Sequence, residues 1–236
     1  KYGYEKARTV PMLVRLPASV DSSSGGQCWS HAEKWGPLSG TVIHTSYSRC
    51  AAFYCFIQDI KPYPNGFAVR FPFDLDSGAM RPRLHPIDNQ IYITCHKGWD
   101  TTAPLDGVIY RFRHAEDEMV GICDAAVTAS GIRLTFASDL DPRSVKPGAF
   151  KAYREDDAKN ILKPAEYKLG EVRLIDSRTV EINVPSIGKE ALANRTDEKG
   201  NIQVKPPISL SYKLKSKSGK VFEQKIYATI NSLPKK

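Results

Sequence analysis

The stretch Gln90-Ile91-Tyr92-Ile93-Thr94-Cys95 indicates the fold class most directly. Ile91, Ile93 and Cys95 occupy every second position, and Tyr92 and Thr94 stand between them. Successive side chains of a β-strand point to opposite faces of the sheet, so this alternation predicts a strand with one buried face.

The same pattern recurs along the chain. Nine further runs are rich in β-branched and aromatic residues, and Gly, Pro, Asn or Asp separates them. They are residues 12–16, 41–47, 51–57, 67–73, 108–112, 132–136, 180–184, 208–214 and 221–226. Only the segment from Glu155 to Ala165 has helical patterning, and Pro164 ends it. The sequence therefore predicts an all-β protein.

Two stretches of the first half have the form of repeated hairpins. The first runs from Trp35-Gly36-Pro37-Leu38-Ser39-Gly40 into the strand at 41–47 and then back into the next strand. The second runs from Ser77-Gly78-Ala79-Met80-Arg81 through a Pro86-containing turn into the strand at 90–95. Repeats of about 40 to 50 residues built from such hairpins are typical of β-propeller blades.

These motifs resemble a known family. The residues that carry the resemblance are Gly25-Gly26-Gln27, Trp35-Gly36-Pro37-Leu38, His44-Thr45-Ser46-Tyr47, Ser77-Gly78-Ala79-Met80-Arg81, Gly98-Trp99 and Tyr110-Arg111. Together they are similar to the last blades of bacterial propeller proteins related to glucose and sorbosone dehydrogenases. Further on, Gly131-Ile132-Arg133-Leu134-Thr135-Phe136 with Leu140-Asp141-Pro142 resembles the opening of the immunoglobulin-like domain that follows the propeller in such proteins.

The resemblance implies two domains. Residues 1–115 are expected to form a partial β-propeller of two to three blades, and residues 121–236 an immunoglobulin-like β-sandwich. The boundary is predicted near residues 114–122, where an acidic patch, Glu116-Asp117-Glu118, separates a first half rich in Trp, Cys and Gly from a second half without Trp.

The resemblance also implies a function for the parent protein rather than for this chain. Family members that are dehydrogenases hold pyrroloquinoline quinone (PQQ) and Ca²⁺ at one end of a complete propeller and pass electrons to a module carrying haem c. This sequence has too few blades and no CxxCH motif. It opens on Lys1 without a signal sequence, so we expect a piece of a longer chain. The expected role is a non-catalytic terminal segment of a periplasmic or secreted protein acting on sugars. The expected partner is the rest of the parent polypeptide or a cytochrome module, and no cofactor is expected in this chain.

Five residues are candidates for ligand binding, and none is a candidate for catalysis or for a metal site. They are Arg81, Arg83, His85, His44 and Trp99. Arginine offers forked donors to an anionic cofactor or sugar acid, and tryptophan can stack on a sugar ring. The alternatives are hydrogen bonds between blades for the polar residues and the cover of a blade core for Trp99.

The net charge of the chain is +8, from 34 basic and 26 acidic residues, and most of the surplus lies in the second half. Lys213, Lys215 and Lys217 alternate with other residues, which predicts a half-buried strand, at a sheet edge, whose lysines face the solvent. The alternative is a face that binds acidic polysaccharide. Nucleic acid is not predicted as a partner, because the basic segment lacks interleaved aromatic residues.

The five cysteines and the apolar runs exclude further classes. No two cysteines have the CxxC spacing, which argues against a zinc knuckle or a redox pair, whereas a disulfide between Cys28 and Cys50 stays open. The longest apolar run, residues 50–57, is far shorter than the roughly 20 residues that a membrane-spanning helix needs.

Overall fold

The computed structural model describes residues 10–115, 119–155, 165–188, 195–196, 202–203 and 207–235. These residues form an all-β structure, which confirms the predicted class. Most of the predicted helical segment and the acidic patch at 116–118 lie outside the described residues. Among the described residues, no helix has the length and apolar character required to cross a membrane.

Seven strands belong to the first half of the chain. They are β1 (Ser24–Trp29), β2 (Val42–Ser46), β3 (Ala51–Gln58), β4 (Asn65–Arg70), β5 (Gly78–Leu84), β6 (Ile91–His96) and β7 (Gly107–Phe112). The predicted hairpins are confirmed: β2 pairs with β3 and β5 pairs with β6, in both cases antiparallel. Short 3-10 helices occur at Glu33–Leu38 and later at Pro142–Ser144 and Pro147–Ala149.

Ten strands described in the second half complete the structure. They are β8 (Ile122–Val127), β9 (Gly131–Phe136), β10 (Phe150–Arg154), β11 (Ala165–Tyr167), β12 (Val172–Leu174), β13 (Thr179–Asn183), β14 (Arg195–Thr196), β15 (Ile202–Gln203), β16 (Ile208–Lys215) and β17 (Val221–Thr229).

The largest sheet contains strands from both halves. Its order is β1-β2-β3-β4-β17-β16-β10-β11, and β4 pairs antiparallel with β17 through Val69 opposite Ile226 and Phe67 opposite Ala228. The other sheets are β12-β13-β9-β8, β5-β6-β7 and the pair β14-β15. None of the sheets closes into a ring. The division into domains at 1–115 and 121–236 stays a prediction, and the hydrogen-bonded ladder crosses the predicted boundary.

One hydrophobic core joins the three larger sheets. Of the residues predicted to share a buried face, all are buried except Cys95, which is partly exposed. Ile91 and Ile93 on β6, Ile132, Leu134 and Phe136 on β9, and Val180, Ile182 and Val184 on and after β13 are all fully inaccessible. The period-2 pattern therefore identified the inward faces of these strands correctly.

The predicted strand at 12–16 is wrong. This segment crosses the outer face of the large sheet, and its backbone bonds to side chains instead of to a neighbouring strand. Thr229 Oγ1 accepts from Arg15 N at 2.8 Å, and Met12 carbonyl O accepts from Asn231 Nδ2 at 3.0 Å. Gly66 permits the crossing, because a Cβ there would collide with the carbonyl oxygen of Leu13.

Candidate functional site

His44 on β2 belongs to a hydrogen-bonded cluster around the carboxylate of Asp21. Its Nε2 lies 2.8 Å from Asp21 Oδ2, and its Nδ1 lies 2.9 Å from Gln27 Nε2. Ser24 Oγ and Ser46 Oγ donate to the same carboxylate at 2.8 and 2.7 Å. Both ring nitrogens of His44 are therefore engaged inside the protein.

A cleft of about 490 Å³ opens beside this cluster, between the segment at 12–16 and strands β1 to β3. Most of its wall is apolar. The apolar lining residues are Met12, Leu13, Val14, Leu16, Val42, Cys55 and Ile57. Because His44 and the carboxylate of Asp21 bond to each other and to neighbours, the cluster fixes the loop before β1 to the sheet. Its geometry is that of a structural anchor rather than of a free general base.

Replacement of Asp21 tests this anchor. Burial alone raises the pKa of Asp21, but hydrogen bonds from His44, Ser46 and Ser24 together lower the pKa below its ordinary value of 3.8. A carboxyl group with a lowered pKa stabilises the fold above pH about 4, and this contribution is lost as the pH falls through the pKa of the folded state. We expect Asp21→Asn to cost about 1–2 kcal/mol at pH 7 and to show a weaker loss of stability below pH about 4 than the wild type.

The measurement is urea unfolding at a series of pH values between neutrality and pH about 2.5. Asp106→Asn is the control, because the Asp106 side chain is 98% exposed and should affect neither quantity. An identical acid dependence in Asp21→Asn and the wild type would contradict the anchor.

Arg81 and Arg83 lie on β5, and His85 follows that strand in the turn toward β6. Arg81 Nη1 donates to the carbonyl oxygen of Gly25 at 3.1 Å, which fixes this side chain against β1. His85 Nδ1 lies 3.1 Å from Asp88 Oδ1, and its ring packs edge-to-face against Tyr92 with centroids 5.6 Å apart, so the imidazole is held in the turn beside Tyr92. The two arginines therefore share a surface, and His85 lies at its margin in the turn.

Trp99 lies in the loop between β6 and β7, and 80% of its surface is exposed. Its ring centroid is 6.0 Å from that of Tyr47, whose hydroxyl donates to the Trp99 carbonyl oxygen at 3.1 Å. Gly98 N in turn donates to the Tyr47 hydroxyl at 2.7 Å. The exposure is inconsistent with the alternative in which Trp99 covers a core.

The structure does not bring the five candidate residues together. His44 faces the cleft at 12–16, Arg81 and Arg83 lie on β5, and His85 and Trp99 belong to two different loops. In the described ranges, no three His, Cys, Asp or Glu side chains lie close enough to hold a metal ion. Among the described residues, the five candidates therefore do not form a single binding site.

Sequence reasoning missed several neighbours of these candidates. Arg111, Tyr92 and Thr94 share the outer face of the three-stranded sheet with Arg81 and Arg83, as the register of β5, β6 and β7 requires. The predicted hairpin begins at residues 77–81 and gives no register, whereas the strand observed there continues through Pro82, which a sheet tolerates on an edge strand. Without β5 and its register, no sequence signal placed these side chains next to each other.

The lysines of β16 face the solvent, as one of the two sequence hypotheses predicted. Lys213 is exposed and Lys215 is partly exposed, and buried Tyr212 and Leu214 alternate with them. The edge position is wrong, because β16 lies between β17 and β10 inside the sheet. Lys213 Nζ is 3.6 Å from Glu223 Oε2, so part of this charge is compensated. Binding of acidic polysaccharide through these lysines stays a prediction.

All five cysteines are free, including Cys28 and Cys50. Burial raises the pKa of Cys55 to about 12 and that of Cys28 and Cys95 to about 11. The thiolate is the reactive form, so these residues are poor nucleophiles at neutral pH.

Thiol labelling should follow this order of burial. Cys55 is only 5% exposed, and we expect it to resist a disulfide reagent at pH about 8 until the protein unfolds, whereas Cys28 and Cys95, which are partly exposed, react slowly in the native state. Mass spectrometry of the labelled peptides distinguishes these sites. Rapid native labelling of Cys55, or fewer than the five thiols in unreduced denatured protein, would contradict the structure.

Comparison with known proteins identified no relative of this chain. No protein-family model, no curated protein and no solved structure matches this chain.

Proposed function

We propose that this chain is a non-catalytic terminal segment of an exported, haem-associated, quinoprotein-dehydrogenase-like propeller protein that acts on sugars. The observation that carries the proposal is a pair of antiparallel meanders in the first half, β1-β2-β3-β4 and β5-β6-β7. Propeller blades are four-stranded antiparallel sheets, so one complete and one incomplete blade would have this form. A periplasmic or extracellular location belongs to the same proposal.

The second half is proposed to be an immunoglobulin-like sandwich that braces the blades. Two antiparallel layers support this assignment: β12-β13-β9-β8 on one side and β10, β16 and β17 on the other. Phe136 from the first layer packs against Tyr212 and Phe222 from the second, with ring centroids 5.3 and 5.8 Å apart. Aromatic side chains packed between two sheets are typical of the sandwich class.

The residues that the structure describes do not fit PQQ, Ca²⁺ or haem c. The oxygen-rich loop at 74–78 is engaged within the protein, because Asp74 pairs with Arg70 and Asp76 Oδ2 accepts from the Tyr110 hydroxyl at 2.6 Å. The five candidate ligand-binding residues do not converge on one site, and the sequence has no CxxCH motif. We therefore assign these cofactors to the remainder of the proposed parent protein, and a cytochrome module of that parent is the proposed partner.

Two experiments test the proposal. Sequencing of the gene upstream of the Lys1 codon should reveal further blade repeats and a CxxCH motif, and their absence from the complete reading frame would overturn it. Dye-linked oxidation of aldoses by this chain, with added PQQ and Ca²⁺, should not exceed the rate without protein. Turnover by the chain alone would overturn the non-catalytic role.

A further inference from the structure

The outer face of the three-stranded sheet concentrates arginine side chains. We name the surface formed by Arg81, Arg83, Tyr92, Thr94 and Arg111 the arginine face. Arg83, Tyr92 and Arg111 are directly opposite one another across the three strands, and Arg81 and Thr94 form part of the adjacent row. Side chains directly opposite in antiparallel strands lie on one face, so these five share a surface.

The other face of the same sheet is buried in the core. Pro82 and Ile93 are opposite one another and buried, as are Ile91 and Phe112 in the next row. The arginine face is consequently the side turned to the solvent, and all three arginines on it are exposed.

No carboxylate of the described residues neutralises these arginines. The ion pairs there use Arg70, Arg133, Arg143, Arg173 and Arg178 instead. Arg81 Nη1 donates to the Gly25 and Met80 carbonyl oxygens, and Arg83 Nη1 donates to the Pro82 carbonyl oxygen at 2.7 Å. These bonds hold the side chains in place without compensating their charge.

The nearest acidic group of the adjoining turn is also occupied. Asp88 accepts from the Tyr92 hydroxyl at 2.8 Å and from Gln90 N at 2.9 Å, and it pairs with His85. Among the described residues, no ion pair therefore compensates the charges of the arginine face.

The spacing of the arginines favours a chain of anionic groups over a single one. Neighbouring strands are about 4.8 Å apart and alternate residues of a strand about 6.6 Å apart. The Cα atoms of Arg83 and Arg111 are thus about 10 Å apart, and those of Arg81 and Arg83 about 7 Å. One sulfate or carboxylate cannot bridge all three, whereas guanidinium forks match such groups individually.

We infer that the arginine face binds an acidic polysaccharide. A glycan with a carboxylate or sulfate on successive sugars presents anions at a comparable repeat, with hydroxyl groups between them that the Thr94 hydroxyl can bond. The Tyr92 ring between Arg83 and Arg111 offers an apolar patch for a sugar ring. The inference does not depend on the proposed parent protein, since it concerns residues of this chain alone.

The test compares two variants that remove the same charge. Arg81, Arg83 and Arg111 are changed to Gln in one, and Lys213, Lys215 and Lys217 in the other, so that the net charge falls from +8 to +5 in both. Affinity for dextran sulfate and for polygalacturonate is measured at low and at moderate salt. We expect the arginine variant to bind at least about 10-fold more weakly and the lysine variant to stay within about 2-fold of the wild type.

Each possible result either supports binding through the arginine face or contradicts it. Equal weakening in both variants would mean that net charge alone acts, and a loss confined to the lysine variant would assign binding to the lysines at 213–217; either result overturns the inference. No binding by the wild type, or equally tight binding of polyglutamate through the same arginines, would overturn it as well. If the triple arginine variant unfolds at a lower temperature than the wild type, Arg111→Gln alone gives the readout, and Arg111→Lys should restore only part of the affinity.

Discussion

Replacement of Phe136 by alanine should lower the free energy of unfolding by about 3–5 kcal/mol. The side chain is fully buried on β9 and packs edge-on against Tyr212, 5.3 Å away, and Phe222, 5.8 Å away. Its removal leaves a cavity between the two layers that the β-ladder cannot collapse to fill. Denaturant unfolding followed by circular dichroism measures the loss. Ile87→Ala, at a position 83% exposed, is the control and should change the stability by less than about 0.5 kcal/mol.

The same variant reports whether the halves unfold together. Trp35 is buried in the first half. The unfolding transition followed by its fluorescence should move to lower denaturant concentration together with the transition followed by circular dichroism. The reason is that β4 and β17 share one ladder and both halves share one core. A Trp35 transition left unchanged by Phe136→Ala would contradict a single cooperative unit and would support independent domains at 1–115 and 121–236.

Replacement of Asn65 by leucine should cost a similar amount, about 3–5 kcal/mol, although no apolar contact is lost. The Asn65 side chain is fully buried at the start of β4 and makes four hydrogen bonds. Its Nδ2 donates to Gln58 Oε1 and to the Ser232 carbonyl oxygen, both at 2.9 Å. Its Oδ1 accepts from Asn231 N at 2.7 Å and from Ser232 N at 2.9 Å. Leucine leaves these buried partners unsatisfied, which is costlier than the loss of the bonds themselves.

Calorimetric or denaturant unfolding of Asn65→Leu measures this effect. Asn183→Leu is the matched control, because Asn183 has one peripheral bond, to the Ser130 carbonyl oxygen at 3.2 Å, and its loss should cost less than about 1 kcal/mol. Equal stabilities of the two variants would refute the role assigned to Asn65.

The Asn65 network could not be predicted from the sequence. Gln58 Oε1, which accepts from Asn65, also accepts from Val127 N at 2.9 Å, so one chain of bonds links β3, β4, β8 and the segment after β17. Asn65 stands in a Pro-Asn-Gly context that indicates only a turn. Partners that lie 166 and 167 positions away become visible only when the strands are assembled.

The candidate site was predicted in part for the same reason. Arg81 and Arg83 were named because a guanidinium group can bind an anion wherever it lies in the fold, and the two side chains prove to share one surface. Arg111 lies on a different strand, and only the register of β5, β6 and β7 places it in their row. His44 was named as well, but its partner Asp21 is 23 positions away and occupies its Nε2.

By itself the sequence determined the all-β class, most strands and the inward faces of β6, β9 and β13, because alternation of apolar side chains is a local consequence of the pleated backbone. Only the tertiary structure decided that β4 pairs with β17, that the segment at 12–16 crosses the sheet instead of joining it, and that three arginines form one face. These features depend on which strand edges meet. Strand edges consist of backbone groups that are alike in every residue except proline, so side-chain patterns carry little information about their pairing.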